Sequence, residues 1–382
     1  MGNSISSMWR PKKPFFQQID VFGDLPEPDE ISMIQPTLSI FIEKDSDPAL
    51  IIEHDQAPEK AISLVRNYLD SLSLSQKKIR LVVLTHGFRS NDQSDWLNDA
   101  KDAILDAGYL IDQNYHQIVG ILGWGGGADI GLLNYPKAAA NCLETGKWLG
   151  IILQKFHNEY PQSKIYCIGH SLGAHLMGMA GKCSGNSVDR ITGLDPAGPA
   201  FQNANLDKRL GCDSAKLVDV IHTDGQDVPY FGTLVPLGHI DFYPNYGWDQ
   251  PSNDGESNMK PMVSQDENNK KNAIPSKYGG FISESHGRAI DFFVWSIINP
   301  ERFRTFLKLE NDPQVEQGVH RIRTVSPIDF VEVEMGYHLD EFIEKFVKKN
   351  SSTNQRDDLA RIDWNRFYGN YYVHTNGQPP WC

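Results

Sequence analysis

The stretch IYCIGHSLGAHLMGMAG, residues 165–181, carries the strongest indication of the fold. Its first four residues are apolar and predict a buried strand, and the small residues from Ala174 to Gly181 predict a helix. Between them, Gly169-His-Ser171-Leu-Gly173 fits the pattern G-x-S-x-G. A serine on such a tight strand-to-helix turn has strained backbone dihedrals, and its hydroxyl projects above the sheet. The stretch therefore predicts a nucleophilic serine, Ser171, in an α/β fold.

Strand and helix patterns alternate on both sides of this stretch. The further predicted strands cover residues 79–85, 117–124, 190–194 and 216–222, and the further predicted helices cover 95–107, 137–160 and 288–307. Such alternation is typical of a mostly parallel central sheet with helices on both faces. We expect one domain over residues 38–382, because no linker or repeat divides it. Residues 1–37 are rich in proline and are predicted to form an irregular N-terminal extension.

Composition excludes several classes of protein. With 36 Lys and Arg against 49 Asp and Glu, the formal net charge is −13, which argues against a nucleic-acid partner. The longest uncharged apolar runs fall far short of the roughly 18 residues that a membrane-spanning helix needs. The five cysteines are odd in number and lack the spacing of a metal site, so we expect buried free thiols.

A serine nucleophile needs a histidine base that is oriented by a carboxylate. In folds with this serine turn, the chain order is serine, acid, histidine. Asp195 ends the next predicted strand and is the candidate acid, whereas Asp219 lies inside a strand, where a structural or surface role is expected. Three histidines follow the acid and are candidates for the base: His222, His239 and His286. Spacing along the chain favours His286 as the base, but it does not exclude His222 or His239.

Two backbone N–H groups are candidates for binding the oxyanion that forms during acyl transfer. One donor is usually the N–H of the residue after the nucleophile, here Leu172. The second usually comes from a loop after an earlier strand, and Thr85-His-Gly-Phe88 follows such a strand. The N–H of Phe88 is therefore the second predicted donor. His170 and His175 flank Ser171 too closely to act as its base, and we expect them to be structural.

Seven segments of the chain together resemble the pancreatic-type lipases, a family that includes insect relatives and the venom phospholipases A1. The similarity runs from about Leu38 to Pro380, in the family's order, through THGF (85–88), GHSLGAH (169–175), RITGLDPAGPAF (190–201), VDVIHTDG (218–225), GHIDFYPN (238–245), SHGRA (285–289) and YYVHTNGQPP (371–380). The resemblance implies an α/β-hydrolase fold. It also implies these roles: Ser171 as nucleophile, Asp195 as acid, His286 as base, and Phe88 and Leu172 as oxyanion donors. It removes His222 and His239 as candidates.

The resemblance implies a carboxylic-ester hydrolase that acts on lipid at a lipid–water interface without a cofactor. A long polar segment, Asp254 to Ser283, is expected to be the lid, and its length favours triacylglycerol as substrate. Phospholipase A1 activity is the alternative, and a non-catalytic lipid-binding relative of the yolk-protein kind is a further one. The sequence does not identify a protein partner.

The compartment has two interpretations. The family is secreted, but no signal-peptide pattern begins this sequence. Gly2 and Ser6 fit M-G-x-x-x-[ST], the pattern for N-myristoylation, so a cytoplasmic protein attached to membranes is the alternative.

Several positions depart from the family's pattern. The cysteines that usually bracket the lid are replaced by Asn253 and Glu284, and the acidic residue usual before Trp124 is Gly123. The calcium loop of the pancreatic enzymes is only partly matched by Arg209-Leu-Gly-Cys-Asp213-Ser214. The chain also ends about where the family's catalytic domain does, so we expect no C-terminal β-sandwich domain and no bound metal.

Chelation tests the expected absence of calcium. Calcium prefers six to eight oxygen ligands, and Gly211 and Ser214 stand where the family's loop has carboxylates. We expect EDTA to change neither ester hydrolysis nor the melting temperature measured by calorimetry. A melting temperature that falls with EDTA and recovers with calcium would contradict this expectation.

Overall fold

A computed structural model of the chain describes residues 25–74, 77–111, 115–225, 231–251, 283–299, 304–307, 332–350, 369–373 and 375. Its strands are β1 Thr37–Phe41, β2 Leu50–Glu53, β3 Lys78–Thr85, β4 Tyr115–Gly123, β5 Lys164–His170, β6 Arg190–Leu194, β7 Leu217–Ile221, β8 Ile240–Pro244, β9 Arg304–Leu307, β10 Glu332–Glu334 and β11 Gly369–Val373. Its α-helices are α1 Ile31–Ile34, α2 Pro58–Ser71, α3 Asp95–Ile111, α4 Gly125–Ala128, α5 Tyr135–Glu159, α6 Leu172–Cys183, α7 Glu284–Ile298 and α8 Leu339–Asn350.

The strands that the structure describes form one sheet in the order β10-β9-β11-β8-β7-β6-β5-β3-β4-β1-β2. From β4 to β11 along this order, neighbouring strands are parallel. Antiparallel pairs occur towards both edges, where β1 pairs with β4 and β2, and β9 pairs with β11 and β10. The predicted mostly parallel sheet is confirmed, and with its helices it is an α/β-hydrolase fold.

Alternate residues of the central strands pack on opposite faces of the sheet, as the two-residue repeat of a strand requires. In β3, Leu81 and Val83 join one hydrophobic cluster with residues of α2, α5 and α6. Val82 and Leu84 join a second cluster with residues of α3 and α7. Because both faces are covered by helices, these strands read as continuous apolar runs.

The predicted helix over residues 288–307 is wrong at both ends. Helix α7 begins at Glu284, because Ser283 caps it by accepting a hydrogen bond from the His286 N–H. The helix ends at Ile298, since residue 300 is proline and disfavours helical geometry in the residue before it, Asn299. Residues 304–307 instead form β9.

The predicted irregular extension, residues 1–37, also needs correction where the structure describes it. Helix α1 forms within it because the Gln35 N–H bonds to the Ile31 carbonyl, and Ile34 is buried in the core. Thr37 already belongs to β1. Residues 1–24 lie outside the described residues, as does the Gly2 pattern.

The described cysteines are free thiols, as predicted, but they are not all buried. Cys142 and Cys167 lie in the core, where burial raises the pKa of each thiol well above its usual range. Cys183 is half-buried and Cys212 is exposed, because Cys212 begins a short surface 3₁₀ turn at Cys212–Ser214. In the part of the chain that the structure describes, no helix has the length and apolar character to cross a membrane.

A buried ion-pair network connects the start of β6 to the C-terminal part of the chain. Arg190 donates to both carboxylate oxygens of Asp219 on β7, at 2.8 and 3.1 Å. It also donates to the carbonyls of Gly336 and Tyr337 and to Asp340. These contacts confirm the structural role predicted for Asp219, because they fix the segment before α8 against the sheet.

Breaking this network should destabilise the protein strongly. Removing one partner of a buried ion pair leaves the other charge uncompensated and typically costs about 3–5 kcal/mol. We expect Asp219→Asn to lower the free energy of unfolding, measured in urea, by about that amount. Lys216→Ala is the control, because the Lys216–Asp189 pair is exposed and such pairs contribute about 1 kcal/mol or less. Equal effects of the two substitutions would contradict the prediction.

Candidate active site

Ser171 stands at the turn between β5 and α6, as predicted from the G-x-S-x-G pattern. Its backbone lies in a sparsely populated region, with φ 58° and ψ −121°, which only a surrounding structure that constrains it can maintain. The Ser171 N–H donates to the Leu194 carbonyl at the end of β6, at 3.0 Å. The turn is thereby attached to the neighbouring strand, which leads directly into Asp195.

Two glycines allow the chain to pack closely around this turn. A Cβ atom at Gly173 would lie 2.5 Å from the carbonyl oxygen of His86. A Cβ atom at Gly87 would lie 2.7 Å from the Ser171 Cβ and 3.3 Å from its hydroxyl oxygen. A side chain at position 87 would therefore crowd the hydroxyl, so glycine keeps the space beside Ser171 open.

The structure brings Asp195 and His286 into a direct hydrogen bond. The distance between His286 Nδ1 and Asp195 Oδ2 is 2.6 Å, and both side chains are buried. The other carboxylate oxygen, Oδ1, accepts hydrogen bonds from the backbone N–H groups of Thr223 at 2.8 Å and Asp224 at 3.2 Å. The carboxylate is thus held in place by the loop after β7 and orients the imidazole.

His286 lies in the first turn of α7, close to the serine turn. The ring of His170, which immediately precedes Ser171, lies with its centroid 4.4 Å from that of His286. Among the described residues, no hydrogen bond joins the Ser171 hydroxyl to the His286 ring. Hydrogen bonds of this kind are often long before substrate binds.

A second carboxyl group, Asp224, lies beside the Asp195–His286 pair and was not identified from the sequence. Burial and the negative charge of Asp195 raise the pKa of Asp224 well above its usual range, although a hydrogen bond from the Ser283 hydroxyl opposes them. Its Oδ2 atom is buried without a hydrogen-bond partner among the described residues. Asp195 directly follows β6 and Asp224 lies three residues after the end of β7, so a carboxyl group in the loop after the next strand is the signal that indicates Asp224.

These three residues could also be considered as metal ligands. Asp195, Asp224 and His286 offer ligand atoms that lie within 4.8 Å of one another. A metal ion bound to Asp195 and to Nδ1 of His286 would have to replace the proton between two atoms that are 2.6 Å apart. The geometry therefore fits a hydrogen-bonded pair better than a metal centre.

The two predicted oxyanion donors belong to the serine turn and to the loop that packs against it. Leu172 is the first residue of α6, and Phe88 follows Gly87 in the loop after β3. Within the described residues, neither backbone N–H donates a hydrogen bond to the protein. Both N–H groups therefore lack an acceptor among the described residues.

The loop that carries Phe88 is held by His86 and Trp124. The Trp124 backbone N–H donates to Nε2 of His86 at 3.2 Å, and the indole N–H donates to the His86 carbonyl at 3.1 Å. Nδ1 of His86 therefore carries the ring proton, and it lies 3.0 Å from the Gly87 carbonyl. The ring of Phe88 also packs edge-on against Tyr135, at 5.1 Å between centroids.

The other two histidines considered as the base, His222 and His239, make contacts away from Ser171 and Asp195. His222 is buried, with Nε2 at 2.9 Å from Asp241 and its ring stacked on Tyr243. Nδ1 of His239 accepts a hydrogen bond from the Val218 N–H at 2.9 Å. Both contacts attach neighbouring strands of the sheet to each other.

The departures from the family's pattern have local explanations where the structure describes them. A Cβ atom at Gly123 would lie 3.0–3.3 Å from the side chain of Asp92, so a carboxylate from the loop before α3 occupies the space beside this position. In the segment compared with a calcium loop, Asp213 pairs with Lys182. The predicted lid, Asp254 to Ser283, lies outside the described residues except for Ser283.

Comparison with known proteins finds similarity to lipases. A family model described as "Lipase" matches residues 17–318. The chain is 40% identical to pancreatic lipase-related protein 3 of Homo sapiens over 163 residues, which are 42% of this chain and 33% of that protein. It is 30% identical to pancreatic lipase-related protein 2 of Rattus norvegicus over 282 residues, 71% of this chain and 56% of that protein. It is 31% identical to pancreatic triacylglycerol lipase of Sus scrofa over 239 residues, which are 60% of this chain and 48% of that protein. The matches thus span between a third and somewhat over half of these relatives.

The buried histidines around Ser171 should make the protein sensitive to acid. Burial lowers the pKa of His86 to about 4 and that of His175 to about 3, whereas an unfolded histidine titrates near 6.5. Between pH 7 and 5 the unfolded state therefore binds more protons, and stability falls as the pH falls. Each histidine should contribute about 2 kcal/mol to this loss.

Urea denaturation at pH 7 and pH 5 measures this effect. We expect the loss of unfolding free energy between the two pH values to be smaller in His86→Gln than in the wild type, because glutamine does not titrate. An equal loss in both proteins would show that His86 is not held neutral by burial.

Proposed function

The chain belongs to the lipase family, and we propose that it is a serine carboxylic-ester hydrolase that releases fatty acids from triacylglycerol. The observation that carries the proposal is the 2.6 Å hydrogen bond between Asp195 and His286, next to the strained turn of Ser171. Support for triacylglycerol comes from the pancreatic triacylglycerol lipases among the relatives.

In the proposed first step, the Ser171 hydroxyl oxygen attacks the ester carbonyl carbon while His286 Nε2 takes the hydroxyl proton. The N–H groups of Phe88 and Leu172 stabilise the negative charge on the former carbonyl oxygen. Asp195 stabilises the imidazolium, because Nδ1 of His286 already donates to its carboxylate. The intermediate then expels the glycerol oxygen, which receives the proton from His286 and leaves an acyl group on Ser171.

In the second half-reaction, water replaces the alcohol. His286 removes a proton from the water as its oxygen attacks the acyl carbonyl carbon, and the same two N–H groups bind the new oxyanion. The intermediate expels the Ser171 oxygen, which regains its proton from His286. The products are a fatty acid and the regenerated enzyme. The segment Asp254 to Ser283, next to α7 in the chain, is proposed to be the lid that controls access of lipid.

Hydrolysis by wild-type protein and Ser171→Ala tests the proposal. Three substrates are compared: a triolein emulsion, phosphatidylcholine vesicles and a soluble short-chain ester. We expect wild-type protein to prefer triolein over phosphatidylcholine, and Ser171→Ala to lower kcat on each substrate by at least about a thousandfold, because triad members act as a unit. Ser63→Ala is the control, since its hydroxyl bonds to the Glu59 carbonyl on the exposed face of α2.

Each result has a defined meaning. Preference for phosphatidylcholine would favour phospholipase A1 activity and contradict the proposed substrate. Absence of hydrolysis by the wild-type protein would favour a non-catalytic lipid-binding role. Hydrolysis that survives in Ser171→Ala at a tenth or more of the wild-type kcat would refute Ser171 as the nucleophile.

A further inference from the structure

His170 connects the serine turn directly to the main chain of His286. It is the last residue of β5 and immediately precedes Ser171. Its Nε2 lies 3.0 Å from the backbone carbonyl oxygen of His286. Because a carbonyl oxygen only accepts hydrogen bonds, Nε2 of His170 carries the proton and donates it to this contact.

Helix α7 packs in the second hydrophobic cluster, and its first turn also makes hydrogen bonds to its own cap and to the segment before the predicted lid. The His286 N–H donates to the Ser283 hydroxyl at 3.3 Å, and the Ser285 hydroxyl accepts from the Gln250 N–H at 2.9 Å. Neither contact involves β5 or the turn of Ser171. The bond from His170 therefore joins the two elements that carry the proposed nucleophile and the proposed base.

The electrostatic setting keeps His170 neutral beside His286. Burial and the neighbouring positive charge that His286 would carry lower the pKa of His170 well below its usual range, with a smaller effect of His86 in the same direction. The hydrogen bond to the His286 carbonyl opposes this shift without reversing it. His170 thus remains neutral when His286 accepts a proton.

We propose that His170 is a positioning residue, whose N–H group holds the His286 main chain at the distance from Ser171 that proton transfer requires. This inference rests on the proposed ester hydrolysis. The loss of the N–H group should affect the chemical step rather than substrate binding, because His170 acts through His286. A displacement of about 1 Å at a catalytic group can lower the rate about a hundredfold.

Two substitutions at position 170 separate the hydrogen bond from the volume of the ring. His170→Phe keeps an aromatic ring and removes the donor, whereas His170→Gln keeps an N–H donor at a similar reach. On a soluble short-chain ester we expect His170→Phe to lower kcat roughly ten- to a hundredfold with KM within about twofold of wild type. We expect His170→Gln to recover kcat to within about threefold of wild type.

His175→Gln is the matched control, since His175 lies in the same motif but bonds to Ala197 and Leu210 instead of α7. It should lower the melting temperature while leaving kcat per folded molecule within about twofold. His170→Asn is a second variant, whose shorter side chain does not reach the His286 carbonyl. It replaces His170→Phe if that variant does not fold, and its kcat should also fall at least tenfold.

The inference is overturned if the folded Phe or Asn variant keeps kcat within twofold of wild type. It is also overturned if the Gln variant is as slow as the Phe variant, since the donor would then not be the cause. These outcomes presuppose an active wild-type protein. Wild-type protein that hydrolyses no ester would instead refute the proposed function itself.

Discussion

The backbone conformation of Ser171 is the constraint on which the rest of the site depends. A residue held at φ 58° and ψ −121° costs of order 1–3 kcal/mol, which the surrounding structure must offset. Hydrogen bonds between neighbouring strand ends provide that support. The Ser171 N–H bonds to Leu194 at the end of β6, and the Asp195 N–H bonds to Ile221 at the end of β7. The turn with Ser171 and the strand end with Asp195 are thus fixed relative to each other.

The histidines around this turn differ in what accepts their ring proton. His86, His170 and His175 each face a backbone carbonyl, those of Gly87, His286 and Ala197. Burial lowers the pKa of all three, which therefore remain neutral at physiological pH. His286 instead donates to the Asp195 carboxylate, which stabilises an imidazolium far better than a carbonyl does. This contrast supports His286, rather than its neighbours, as the proposed base.

The sequence predicted those elements whose boundaries depend on local signals. The strand Arg190–Leu194 has the limits that the sequence predicts, because Asp189 and Asp195 bound it and proline 196 disfavours a helix after it. The prediction of a helix over 288–307 is wrong even though the sequence marks both true boundaries, with the capping Ser283 before the helix and proline 300 after it. Asp195 could be predicted because it directly follows a predicted strand. Asp224 lies in the loop after the next strand along the chain, and the sequence analysis does not include it. The contact between His170 and His286 joins residues 116 positions apart, so no local pattern could indicate it.

Covalent labelling tests the central claim most directly, namely that Ser171 is a nucleophile activated by His286 and Asp195. Wild-type protein would be treated with a lipid-like organophosphonate, and the modified residue would be located by mass spectrometry of its peptides. The account predicts one phosphonyl group per chain, on Ser171, with loss of ester hydrolysis in proportion to labelling. Complete loss of hydrolysis with Ser171 unmodified, or full labelling of Ser171 with hydrolysis retained, would contradict it.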